Sequence, residues 1–186
     1  YLMRELEQAI ANAGKNNQTG ALAYIALDNF ITMKGQVGIS GADLLLGDLA
    51  TLLKKEAAGD LVLARLSDDA FCLLCLPGDE KSLTSRCEQI CKAVDEYLFE
   101  INGRTVPLTV SIGVASITEN SPKAEELMAR VHTASSDVRK QEGQAQGNGV
   151  RAYNPADHEA LEDSNSIEAI LKALDENRFR LLFQPI

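Results

Sequence analysis

Positive charge is scarce in this chain, and so are long apolar runs. Lys and Arg together number 18 against 27 Asp and Glu, a formal net charge of −9. That balance excludes broad binding to nucleic acid or to anionic membranes, because both need basic patches to meet phosphate. No uninterrupted apolar run reaches bilayer-spanning length, and the N-terminus carries no signal-peptide pattern. The expectation is a cytoplasmic segment with no nucleic-acid partner and no membrane contact of its own.

Cysteine is equally sparse, at four residues. Cys72 and Cys75 fall in a strand pattern, where positions i and i+3 point to opposite faces. Cys87 and Cys91 are four apart in a helical pattern and share a face. Without a knuckle turn, Cys-x-x-Cys on a strand is a poor zinc or redox motif. The four thiols are expected to be small buried apolar groups in a reducing compartment, with no metal held. His132 and His158 stand alone in the sequence and are expected to be ordinary surface or partly buried residues.

What is present suffices for one domain with a modest appendage: 186 residues, of which 45% are hydrophobic. The chain opens on Tyr1 and closes on Gln184-Pro185-Ile186 inside a strand-like pattern, which reads as a fragment of a longer protein.

Leu2, Leu6, Ile10 and Ala13 form a helical stripe. Residues 21–27 are continuously apolar, as in a buried central strand, and Asp28-Asn29 closes them. Leu44, Leu45, Leu49, Leu52 and Leu53 mark a helix over residues 41–57. Two apolar runs, 61–63 and 71–76, flank Ser67-Asp68-Asp69 and predict a hairpin with an acidic tip. A helix over 80–98, a strand over 106–117, a helix over 122–141 with Pro122 near its first turn, and a short strand at 150–153 follow. Gly143, Gly147 and Gly149 punctuate the last connection. The core order β-α-β-β-α-β predicts an α+β fold of ferredoxin-like type, a mainly antiparallel sheet with helices on one face. Beyond residue 153, Asn165 and Glu168 form a capping box for a helix ending near 178, and residues 179–186 alternate as a strand.

Four motifs in order carry a family resemblance. Ser67-Asp68-Asp69-Ala70-Phe71 resembles the signature hairpin of GGDEF domains, the bacterial diguanylate cyclases. Leu27-Asp28-Asn29-Phe30 is similar to the family's DxDxF segment, Gly38 to Asp43 to its GHxxGD helix start, and residues 110–115 to its vSiGva strand. The resemblance covers about residues 1–153 and implies a nucleotide-cyclase-like palm. Phe183-Gln184-Pro185-Ile186 after a helix resembles the opening of an EAL domain, the cyclic-di-GMP phosphodiesterase family. The resemblance thus implies three segments: a degenerate GGDEF domain at 1–153, a linker helix at 154–178 and the first strand of a truncated EAL domain at 179–186. It also implies the partners, namely that EAL domain, a second copy in a homodimer and other signalling proteins.

The same resemblance marks what is missing. It implies joining of two GTP molecules through divalent ions, which neutralise the charge of the transferring phosphoryl group. The first Asp of DxDxF, an implied Mg²⁺ ligand, is Ala26, and the Glu implicated in the chemistry is Ala70. Asp69 keeps the second ligand position, while Ser67 and Asp68 replace two glycines and crowd the place of a polyphosphate. Asp28 either ends the strand and caps the turn, or shifts register to replace the lost ligand. The implied guanine contacts fall on Lys34 and Asp43. Asp43 is equally explained as a residue favoured at a helix start. Arg139 replaces a family Lys, either as a phosphate-binding charge or as part of a solvated helix face. Residual nucleotide contact, with Mg²⁺ as its only cofactor, would rest on Asp43, Asp69 and Arg139. The implied inhibitory product site falls on Ala58 and Leu61, which cannot bind guanine or phosphate in that way; Asp60 is displaced by one position.

Overall fold

A computed structural model describes residues 1–157, apart from 17, 58, 60 and 141–146. Helix α1 (Leu2–Asn16) buries Leu2, Leu6, Ala9 and Ala13. Strand β1 (Gly20–Leu27) is buried along nearly its whole length, as its unbroken apolar run requires. Helix α2 (Phe30–Glu56) follows, then β2 (Leu61–Arg65) and β3 (Ala70–Cys75), the expected hairpin. Helix α3 (Glu80–Glu96) is capped by Asp79, whose carboxylate accepts from the backbone N–H of Ser82 at 2.9 Å and from its hydroxyl at 2.7 Å. Those bonds to the charged form hold the Asp79 carboxyl below the usual carboxylate range. Strands β4 (Phe99–Ile101), β5 (Arg104–Val106) and β6 (Val110–Ile117) lead to α4 (Ala124–Lys140) and β7 (Gly149–Ala152). Tyr1–Tyr153 form one compact unit.

The main sheet runs β2-β3-β1-β6-β7. All its pairings are antiparallel except β6 with β7. Odd-numbered residues of β1, with β3 and β6 neighbours such as Phe71 and Ile112, join α2 and α3 in one core. Leu22, Cys72, Leu74 and Ile117 join α1 and α4 in a second. The helices thus cover both faces of the sheet, where the sequence led us to expect one, because the continuously apolar β1 has two faces to bury. At each face, full burial of a Leu or Phe contributes roughly 1.5–3 kcal/mol.

Other expectations need correction. Residues 106–117 are not one strand: Pro107 cannot donate to a ladder, so β5 ends at Val106 and β6 starts at Val110. The β4–β5 hairpin turns on Asn102-Gly103, both at positive φ, the composition that favours such turns. Helix α3 stops at Glu96, so Leu98 leaves the helical stripe and lies 72% exposed. Helix α4 starts at Ala124, two residues after the expected start, which leaves Pro122 just before its first turn. Leu44 is exposed, and Leu46 takes its place among the buried residues of α2.

Helix α2 begins eleven residues before the expected start at residue 41 and breaks at Gly38, which has φ 75°. By length and composition it is apolar enough to cross a membrane, which the broken pattern of apolar residues did not suggest. Here Leu45, Leu49 and Leu53 point into the first core.

Beyond Tyr153, residues 154–157 are described. The Asn154 side-chain oxygen accepts from the N–H of Ala156 at 3.2 Å and starts a turn. The expected linker helix, the capping box, the tail strand, His158 and Gly143 lie outside the described residues, as do Ala58 and Asp60.

Candidate functional site

The sheet sets two critical positions side by side. Ala26, near the end of β1, is the direct cross-strand partner of Ala70 at the start of β3. Side chains so placed stand about 5 Å apart. Both residues are buried, at 3% and 0% exposure. Two methyl groups therefore occupy the positions where the resemblance implies a metal ligand and a reacting acid. Neither can hold a cation or move a proton.

Asp28 follows β1 and is almost fully enclosed, its side chain 3% exposed. Its Oδ1 accepts from Ser111 Oγ at 2.7 Å and from Arg139 Nε at 3.2 Å. Its Oδ2 accepts from Thr109 Oγ1 at 2.8 Å and from the Asn148 backbone N–H at 3.0 Å. A carboxylate offers about four lone-pair sites, and all are used. Asp28 is thus neither a turn cap nor available as the ligand that the resemblance implies at residue 26. Arg139 is not on a solvated face either: its Nη2 also donates to the Leu27 carbonyl at 3.1 Å.

At the hairpin tip, the N–H groups of Leu66 and Ser67 both reach the Ala70 carbonyl, at 2.9 and 3.3 Å. Ser67 Oγ donates to Asp69 Oδ1 at 2.8 Å, and the Asp69 carbonyl accepts from Leu27 N–H at 2.9 Å. Neither Ser67 nor Asp68 takes positive φ, so this tip does not need the freedom that two glycines would supply. Asp68 pairs with Lys34 on α2 and with Arg65, each at 3.5 Å. Two residues that replace implied nucleotide contacts are therefore bound to each other. These exposed pairs are each worth about 0–1 kcal/mol, so they add little to stability; they tie the hairpin tip to α2.

Asp43 is exposed on α2, five residues past the break at Gly38. That places it beyond the first turn, where the helix dipole acts, and removes the helix-start explanation. Asp69 and Arg139 both act on Tyr24, a residue that sequence reasoning passed over. Burial raises the Tyr24 hydroxyl pKa, the Asp69 charge raises it further, and Arg139 works in the opposite direction. The position is legible afterwards: Tyr24 lies on the same strand face as Ala26 and Asp28. His132 sets its ring edge-on to Tyr24 at 5.2 Å. Leu61, at the implied inhibitory position, packs against the first core.

Beside the end of β1 lies a groove of about 280 Å³, lined by Asn29, Thr32, Gln36 and Pro107 among others. Among the described residues, no three His, Cys, Asp or Glu side chains are grouped to hold a metal ion. Asp69 with a methyl at residue 26 and a saturated Asp28 does not fit the oxygen shell that Mg²⁺ demands.

Gly113 in β6 faces α4, and a Cβ there would run into the Val131 carbonyl, with Ser135 N only 2.5 Å away. The glycine in the vSiGva-like strand is thus what allows α4 to lie on the sheet.

The family model for the diguanylate cyclase GGDEF domain matches residues 1–145. The chain belongs to the GGDEF family. The GGDEF domain of FimX from Pseudomonas aeruginosa superimposes with a TM-score of 0.74 at 32% identity, covering 80% of this chain and 90% of that one. The probable diguanylate cyclase DgcE of Escherichia coli K12 is 30% identical over 131 residues, which is 70% of this GGDEF chain and 12% of DgcE. The bifunctional diguanylate cyclase/cyclic di-GMP phosphodiesterase MucR of Pseudomonas aeruginosa is 25% identical over 181 residues, 97% of this chain and 26% of MucR. The chain therefore spans a small part of these curated relatives. Its α+β palm, with a mostly antiparallel sheet flanked by helices, is the GGDEF fold.

Proposed function

We propose that this GGDEF domain is catalytically silent and serves as a regulatory or dimerising module in a cyclic-di-GMP signalling protein. It would couple an upstream input to a C-terminal EAL domain. One observation carries the reading: Ala26 and Ala70 face each other where the family resemblance implies two acids. Phosphoryl transfer between two GTP molecules depends on metal-held charge. With Asp28 fully bonded, Asp69 stands as the one matching ligand, and Lys34 and Asp68, at two positions of implied nucleotide contact, are paired with each other.

Support for the EAL partner comes from Phe183-Gln184-Pro185-Ile186 and from the MucR match, which continues well past residue 145. On this reading residues 1–153 are the degenerate domain, 154–178 the connecting helix and 179–186 the opening EAL strand. A second copy and other signalling proteins are the further partners. Four thiols without a disulfide pattern suit a reducing cytoplasm.

A second reading, a GTP-binding module that activates the EAL domain without turnover, draws on the groove beside Asn29. Calorimetric titration of GTP with Mg²⁺ separates the two. No saturable heat supports the silent module. Saturable binding without cyclic-di-GMP formation would replace it with the second reading.

A further inference from the structure

Asp28 is occupied in a way that nucleotide chemistry does not explain. Donors from four separate places meet at its carboxylate: Thr109 before β6, Ser111 within β6, Arg139 in the last turn of α4, and Asn148 at the entry to β7. Gly147 presses against the same carboxylate with φ +94°, and a Cβ there would overlap it. Only glycine meets both conditions.

We propose that Asp28 is a clasp that fixes where the chain leaves the domain. Strand β7 is the natural object of such a clasp. It has four residues, is half-buried throughout and, among the described residues, lies at the sheet edge and pairs with β6 alone, in the parallel sense. So short a ladder positions itself poorly. The Asn148 N–H bond sets its first turn of chain directly against the end of β1. Arg139 adds a second tie through the Leu27 carbonyl, and the Leu27 N–H holds the Asp69 carbonyl in the hairpin tip. A continuous line of hydrogen bonds thus runs from the signature hairpin to the exit strand, through residues whose charges face each other instead of a ligand.

Amide hydrogen exchange on the whole 186-residue chain tests the clasp. The variants are Asp28→Asn, which removes the charge, and Gly147→Ala, which drives the backbone off the carboxylate from the other side. Amides of residues 150–153 are expected to exchange at least tenfold faster in both, with amides of β2 and of residues 72–75 changed less than twofold. Unchanged exit amides, or equal acceleration everywhere, would overturn the proposal. If one variant fails to fold, the other decides. Failure of both would show a residue needed by the whole domain rather than by its exit, which also overturns the clasp. Neither variant alters Ala26, Ala70 or Asp69, so the outcome is independent of GTP turnover.

Discussion

Ala26 and Ala70 are cross-strand partners, so the two positions where the family resemblance implies acids form one feature of the fold. Placing an acid at either position alone would bury a carboxylate among apolar neighbours, which is costly without a partner or metal.

Ala26→Asp should therefore lower stability by roughly 2–4 kcal/mol in urea titrations. Ala26→Asp with Ala70→Glu should show a rise in Tm on adding millimolar Mn²⁺, since ligand binding to the folded state stabilises it. The unmodified chain should show no such rise. A Mn²⁺-dependent Tm in the unmodified chain would mean that a metal site already exists.

Asp28→Ala should cost about 3–5 kcal/mol, because it strands three donors and the Arg139 charge. Arg139 is 38% exposed, so Arg139→Ala should cost less, about 1–2 kcal/mol. The double variant should fall short of the sum, since the two share one network. Additive losses would contradict the coupling.

Gly113→Ala should destabilise the domain by about 1–3 kcal/mol or more, through the forced lift of α4 from the sheet. Gly47→Ala, where an added Cβ meets nothing within 4 Å, is the control and should be neutral or slightly stabilising in the same denaturation assay.

Burial pushes the Cys72 and Cys91 thiols up to about 12, and Cys87 higher still. An unfolded thiol titrates near 8.5. The folded values are raised, so their stabilising contribution is full below the unfolded value and is lost as pH climbs toward 12. Each thiol should steepen the alkaline loss by up to about 1.4 kcal/mol per pH unit. Urea midpoints measured at pH 7, 9 and 10.5 should fall, and replacing these three cysteines with Ala should flatten the fall.

The sheet's central strand and the hairpin were legible because their apolar runs are short, dense and bounded by turn residues. The β4–β5 hairpin was missed although Asn102-Gly103 signals it, because the strands around it are three residues each. Placement of helices on both faces was obscured because β1 lacks the alternation that would mark one side. At the site, the methyl side chains of Ala26 and Ala70, where the resemblance implies acids, could be read directly, since a methyl is a methyl in any fold. The saturation of Asp28 could not: its partners lie 81 to 120 residues away in sequence. Arg139 looked like a surface charge for the same reason.

The most direct test of catalytic silence is incubation of the chain, at high concentration, with GTP and Mg²⁺ or Mn²⁺, followed by chromatography for cyclic-di-GMP. No product is the expected result. Clear product, abolished by Asp69→Ala, would show a working metal site without acids at residues 26 and 70 and would contradict it.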